Sequence, residues 1–197
     1  MEKIKLASAA AVFDRRFYRT QSGGVPDIKE NKMLITKRPE NDDWYPRTLS
    51  PPVETYNPEV DGSLNNTPLQ KVMEKVFLRG FQEEFVPDQK LGLPLLQYIG
   101  NYTDDKTNFA VYGYMGHFRS ESSWSPRKDL KNMLHVTKEV PEYNWKTLPE
   151  VINMKEEGKI AGGKFIDMVV QEIEKRMTND PYFREQQDFL SRLNLNL

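Results

Sequence analysis

The sequence predicts an α+β protein with a small antiparallel β-sheet, several helices and a long extended N-terminal arm. Three observations support this prediction: prolines and glycines interrupt residues 20–66, aromatic and β-branched residues fill two stretches between residues 95 and 118, and apolar residues elsewhere recur at steps of three and four. The pattern divides the chain into an extended proline-rich arm, residues 1–66, and an α+β core domain, residues 67–197.

The N-terminal arm is predicted from its prolines. Six of the thirteen prolines fall within residues 20–66, and each removes a backbone donor and pushes its predecessor toward extended geometry. Neither a continuous helix nor a central strand is therefore expected there. Trp44, Tyr45 and Tyr56 are apolar anchors that a solvated linker seldom carries, so we expect the arm to dock on a partner or on its own core.

The best-marked helix is predicted over residues 67–85. Thr67 is a suitable cap and Pro68 fits the first helical position. The following apolar residues share one helical face: Leu69, Val72, Met73, Val76, Phe77 and Phe81. Further helices are predicted at residues 125–134, 149–157 and 165–177, and from Asp180 onward.

A β-hairpin is predicted near residues 95–118. Its two aromatic-rich stretches are residues 97–102 and 107–118, separated by the polar residues 103–106. Gly113 and Gly116 within the second stretch indicate bulges or a close approach of another backbone. This hairpin is the predicted sheet.

Composition excludes several classes of site. The 28 basic residues nearly balance the 29 acidic ones, which disfavours a nucleic-acid binder. Cysteine is absent, so disulfides, thiolate metal sites and a cysteine nucleophile are excluded. No window reaches the roughly 18 apolar residues of a membrane span. The run from Leu6 to Phe13 carries Ser8 and four alanines, a poor match to the apolar region of a signal peptide.

Motifs for catalysis are weak. The segment 158–164 has the glycine and lysine spacing of a phosphate-binding loop, but Phe165 follows Lys164 where a hydroxyl would hold magnesium. His117 and His135 are too few for the common metal sites. Glu83 and Glu84 are typical of a solvated helix end. The sequence therefore predicts no catalytic residue, no cofactor and no metal.

A protein-binding surface is predicted instead. Tyr112, Tyr114 and Trp124 are interspersed with basic residues, and tyrosine, tryptophan and arginine are enriched at protein interfaces. Together with Trp44, Tyr45 and Tyr56 they form the predicted partner-binding set.

These observations predict a non-enzymatic structural or accessory subunit of a large assembly. A virus or phage particle protein is favoured, in the virion or the host cytoplasm, with other subunits or copies of itself as partners. The alternatives are an accessory subunit of an organellar or cytoskeletal complex and a small enzyme with a pocket near His117.

Overall fold

The computed structural model describes residues 5–14, 31–40, 47–64, 67–85, 93–104, 108–118, 134–138 and 140–179. The strands are β1 Lys5–Phe13, β2 Lys32–Lys37, β3 Leu49–Ser50, β4 Val53–Thr55, β5 Leu95–Asp104, β6 Phe109–His117 and β7 Glu142–Thr147. The helices are α1 Pro58–Asp61, α2 Leu69–Phe85, α3 Leu148–Glu156 and α4 Gly163–Asn179. None of these helices is long and apolar enough to cross a membrane.

One mixed seven-stranded sheet organises the described residues, with the order β3-β2-β1-β6-β5, while β4 pairs with β1 and β7 pairs with β2. The β1–β6 pair is parallel, from Lys5 opposite Phe109 to Phe13 opposite His117. The other named pairs are antiparallel. The predicted β5–β6 hairpin is present, but the predicted fold class, a small antiparallel sheet, is wrong because that hairpin is one end of a larger mixed sheet.

Strand β1 lies in the middle of the sheet and is buried on both faces. Ala9, Ala11 and Phe13 face one hydrophobic cluster, whereas Ala10 and Val12 face the other. Such a strand has a continuous apolar run instead of alternating polarity. Alanine has little intrinsic strand preference, so pairing with β6 and β4 decides the conformation of this segment.

The extended arm of the predicted fold class is also wrong. Strands β2, β3 and β4 and helix α1 all come from residues 20–66 and join the same sheet and core. Pro51 and Pro52 separate β3 from β4, and Pro58 begins α1. The prolines therefore end short elements and do not keep the whole segment extended.

Helices cover both faces of the sheet. Helix α2 packs through Val72, Met73, Val76 and Phe77 on one face, which confirms the helix predicted over residues 67–85. Helices α3 and α4 pack on the opposite face and confirm the predictions at residues 149–157 and 165–177. The core therefore has two layers, one on each side of the sheet. The predicted helices at residues 125–134 and beyond Asp180 lie outside the described residues, apart from the buried Leu134.

Candidate active site

Three carboxylates converge on one guanidinium at helix α2. Arg79 donates from Nε to Asp61 Oδ1 over 2.8 Å, from Nη2 to Glu54 Oε1 over 3.3 Å and from Nη1 to Glu83 Oε2 over 3.0 Å. Glu54 comes from β4, Asp61 from α1, and Glu83 from α2 itself. We call these four residues the carboxylate cluster.

Local structure in α1 fixes the position of Asp61. The side chain of Asn57 caps the helix by accepting from the backbone N–H of Glu59 over 3.0 Å. Asp61 Oδ2 accepts in turn from the backbone N–H of Asn57 over 2.8 Å. The hydroxyl of Tyr56 donates to the carbonyl of Gly62. This short helix therefore holds Asp61, whose side chain is only 6% exposed, against Arg79.

Glu54 lies directly against helix α2 at Gly80. A Cβ at position 80 would stand 2.0 Å from Glu54 Oε2 and 2.5 Å from its Cδ, so no other residue type fits without displacing Glu54. Glycine inside a helix costs about 0.5–1 kcal/mol relative to alanine. Here it leaves the space that the carboxyl group of Glu54 occupies.

Burial and the positive charge of Arg79 shift the pKa of Glu54 in opposite directions. Desolvation raises its pKa, while the charge and hydrogen bonds of Arg79 and a backbone hydrogen bond of Thr55 lower it. Desolvation is the larger effect, so the pKa of Glu54 is raised above the ordinary value for a glutamate. A buried carboxyl group with a raised pKa is suited to proton transfer near neutral pH.

A cavity of about 60 Å³ lies on the opposite face of the sheet, beneath α4. Its walls are mainly apolar, with polar groups at Arg38, Ser50, Tyr102 and Asp104. The apolar lining residues are Ala7, Ala9, Pro51, Val53, Phe109, Val111, Ala161, Gly162 and Phe165. Successive residues of a strand point to opposite faces, so β4 directs Val53 into the cavity and Glu54 toward α2.

The described residues do not form a site for a metal ion. Carboxylates are good ligands for divalent cations, but no group of three or more histidine, aspartate or glutamate side chains in this part of the chain is arranged to hold one. Glu54 and Glu83 each accept from Arg79 through one carboxylate oxygen, and Asp61 accepts through both.

The predicted partner-binding residues do not meet at one surface within the described part of the chain. Tyr114 is 1% exposed and its hydroxyl donates to the carbonyl of Gln70, so its ring packs in the core. Tyr56 and Tyr112 are half-buried and pack against the α2 layer. Trp44, Tyr45 and Trp124 lie outside the described residues. A partner-binding role for this set stays a prediction.

The structure also places Lys164 and His117, two residues that the sequence analysis considered for catalysis or binding. Lys164 donates to the carbonyl of Thr103 over 3.3 Å at the beginning of α4. His117 is the last residue of β6 and does not line the cavity. The prediction that Lys164 makes no functional phosphate contact stays a prediction.

Sequence reasoning missed the carboxylate cluster. Glu54 and Asp61 lie 25 and 18 residues from Arg79, and such spacing leaves no local motif. Glu83 belongs to the predicted solvated helix end, and its side chain is 61% exposed, although it bonds Arg79. The available signal was Gly80, a glycine on the apolar face of an otherwise well-formed helix.

Known structures share this arrangement of sheet and helices. A NUDIX hydrolase from Alicyclobacillus acidocaldarius superposes with a TM-score of 0.56 at 14% identity, covering 86% of this chain and 91% of that one. A MutT protein from Methanosarcina mazei Go1 superposes with a TM-score of 0.52 at 16% identity, covering 89% and 96%. The chain has the NUDIX hydrolase fold.

A third similar structure has a bound ligand. The NUDIX domain of Shewanella oneidensis NrtR, solved in complex with ADP ribose, superposes with a TM-score of 0.53 at 14% identity, covering 88% of this chain and 90% of that one. By sequence, the chain matches no family model and no curated protein. The similarity is therefore one of fold.

The NUDIX fold corrects the functional predictions. The prediction of a non-enzymatic structural subunit, with a virion protein favoured and an organellar or cytoskeletal subunit as an alternative, was wrong, because the chain has the fold of solved NUDIX hydrolases. The prediction that the protein is not an enzyme was wrong for the same reason. These predictions relied on the balanced charge and on the lack of local catalytic motifs. Neither feature reveals carboxylates that only the fold brings together.

Proposed function

We propose that the protein is a hydrolase and that Glu54 is its acid–base residue. The observation that carries the proposal is the half-buried carboxyl group of Glu54, which is held by Arg79 and has a raised pKa, in a fold shared with NUDIX hydrolases. Proton transfer by a positioned side chain contributes typically 10²–10⁴-fold to a rate. Glu54 has the properties that this role requires.

The proposed substrate is a molecule with a phosphoanhydride bond. ADP ribose, the ligand of the NrtR domain, contains a diphosphate. In hydrolysis of such a bond, a water oxygen bonds to phosphorus, the bridging P–O bond breaks, and the departing phosphate carries the electron pair of that bond. Glu54 accepts the proton that the water loses. Arg79 keeps the carboxyl group of Glu54 in place during this transfer.

The cavity beneath α4 lies on the face of the sheet opposite Glu54, so it is not assigned to the reacting part of the substrate. An apolar cavity of 150 Å³ binds benzene, so a cavity of about 60 Å³ accepts only part of a ligand. Phe109 and Phe165 provide apolar contact area, and Arg38 provides a positive charge in the same wall.

A hydrolysis assay tests the proposal. The purified protein is incubated with ADP ribose and with a panel of nucleoside triphosphates, in MgCl₂ or in EDTA, and products are separated by anion-exchange chromatography. We expect cleavage of at least one diphosphate or triphosphate, and a loss of about 10²-fold or more in kcat for Glu54→Gln. The matched control is Glu156→Gln, which changes an exposed carboxyl group at the end of α3.

Three results would contradict the proposal. Failure of the folded wild-type protein to cleave any compound in the panel would argue against this substrate class. Equal rates for wild type and Glu54→Gln would leave hydrolysis standing but remove Glu54 from the reaction. Equal losses for Glu54→Gln and Glu156→Gln would indicate a general effect of the substitution and would also remove the specific role.

A further inference from the structure

Ser8 is a buried hydroxyl with no hydrogen-bond partner in the structure. The residue is 0% exposed, and its Oγ makes no hydrogen bond. Leaving such a group unsatisfied costs about 1–3 kcal/mol, so buried hydroxyls are rarely without a partner. An acceptor close to Ser8 is therefore expected.

Glu54 is the residue directly opposite Ser8 in the sheet. The two are Cα partners in the antiparallel β1–β4 ladder, and directly opposite residues have Cβ atoms about 4.5–5.5 Å apart on one face. Glu54 faces α2 through its contact with Gly80, so Ser8 faces α2 as well. The unsatisfied donor and the buried carboxyl group therefore share one compartment.

Gly80 forms the helix side of this compartment. Glu54 Oε1 bonds Arg79, while Oε2, Cδ and Cγ fill the place of the missing side chain at position 80. Any Cβ there would push the carboxyl group out of the space that it occupies beside α2. Backbone atoms of a helix cannot move aside cheaply, so Glu54 would be the group that moves.

We propose that Ser8 and Gly80 are positioning residues that hold the carboxyl group of Glu54 from two sides. The hydroxyl of Ser8 donates to this carboxyl group through one water molecule, and Gly80 leaves the space in which the group lies beside Arg79. The kinetic consequence rests on the proposed hydrolase function. The geometric arrangement does not, and it is tested separately.

The two residues have opposite effects on the protonation of Glu54. Removing a donor from a carboxylate raises its pKa, whereas moving a buried carboxyl group into water lowers its pKa toward the ordinary value. Ser8→Ala should therefore raise the pKa of Glu54 and Gly80→Ala should lower it. The pKa is measured by NMR titration of ¹³C-labelled glutamate carboxyl groups, with the Glu54 signal assigned from its loss in Glu54→Gln.

Gly163→Ala is the matched control for Gly80→Ala. Gly163 begins α4, and a Cβ there would be 3.6 Å from Lys155 Cγ, an ordinary contact. This variant should leave the pKa of Glu54 unchanged. A shift of the same sign for Ser8→Ala and Gly80→Ala, or no shift for either one, would overturn the proposal.

A thermal double-mutant cycle gives a second test without activity. Gly80→Ala should lower the Tm of the wild type because its Cβ collides with Glu54. In a Glu54→Ala background the collision is absent, so the same change should raise the Tm by roughly 2–4 °C through helix propensity. The same sign in both backgrounds would show that Gly80 serves a purpose other than making room for Glu54.

Ser8→Ala keeps the proposal testable if Gly80→Ala does not fold. Loss of a hydrogen bond to Glu54 should lower the Tm, whereas removal of a truly unsatisfied hydroxyl should raise it. A raised Tm would therefore overturn the role of Ser8. If the protein is a hydrolase, Ser8→Ala should also move the acidic limb of the pH profile of kcat/KM to higher pH. If the pKa measured by NMR shifts and this limb does not, Glu54 is not the base, but the proposed arrangement of Ser8, Gly80 and Glu54 stands.

Discussion

Replacing Arg79 by alanine should destabilise the protein strongly. The change leaves Asp61 and Glu54, whose side chains are 6% and 21% exposed, without the guanidinium that neutralises them. Breaking a buried ion pair by removing one partner costs about 3–5 kcal/mol. Glu83 is 61% exposed, so its share is at most about 0.5 kcal/mol. Arg79 is itself 25% exposed, so solvent reduces the total, and we expect a loss of about 3–4 kcal/mol.

The loss should appear in thermal unfolding as a Tm lower by roughly 6–16 °C, since 1 kcal/mol corresponds to about 2–4 °C in a chain of this size. The control is Lys159→Ala, which breaks an exposed pair with Glu157 and should change the Tm by no more than about 4 °C. Circular dichroism measures both variants. If Arg79→Ala behaves like Lys159→Ala, the cluster is a solvated surface network and its assignment as a buried site is wrong.

The same variant should respond to pH with a defined sign. Without Arg79, the pKa of Glu54 in the folded protein should rise further, because the effect that lowers it is removed while burial remains. The folded variant then binds more protons than its unfolded state, so its stability falls as pH rises through the raised pKa. The Tm difference from wild type should therefore be larger at pH 7 than at pH 4. A constant difference would contradict the burial of Glu54.

Three further changes test the fold. Val76→Asp introduces a charge at a fully buried position of α2 and should cost several kcal/mol, measured by urea unfolding. Gly116→Ala should lower the Tm, because a Cβ there would stand 2.2 Å from the backbone oxygen of Leu95; an unchanged Tm would argue against the β5–β6 register. Glu150→Gln should lower the stability at pH 7 by no more than about 0.5 kcal/mol, because the backbone hydrogen bond from Thr147 lowers the pKa of Glu150 but solvent screens a side chain that is 48% exposed. The wild type should lose this advantage as pH falls through that lowered pKa, and a difference that grew in acid would have the wrong sign.

Local sequence patterns predicted the helices that pack on the core through one apolar face, and they predicted the hairpin. Helix α2 has capping signals and a regular apolar stripe, and α4 repeats apolar residues at helical spacing, so both were predictable. The hairpin β5–β6 was predictable from its aromatic residues and polar turn. In these elements local preference and tertiary packing agree.

The remaining strands were not predictable because tertiary pairing decides them. The alanines of β1 have no local strand signal, and β3 and β4 are two and three residues long between prolines. The candidate site depends on those same strands, since Ser8 and Glu54 meet only through the β1–β4 register. Without that register the sequence shows a serine, a glutamate and a glycine with nothing to connect them.

The parallel pairing of β1 with β6 has a consequence for biosynthesis. Lys5 pairs with Phe109, so about 100 residues must leave the ribosome after β1 before its parallel partner β6 is available, although the antiparallel partners β2 and β4 emerge earlier. At about 5–20 residues per second, β1 waits roughly 5–20 s. During that time the segment from Leu6 to Phe13 is exposed to other chains. This segment carries no charge, and in the folded protein it is buried between the two layers of the core. High contact order of this kind slows folding and favours aggregation of nascent chains. The yield of soluble protein in cells should therefore depend on chaperones that bind short apolar segments. This dependence should be stronger than expected from the stability of the folded protein.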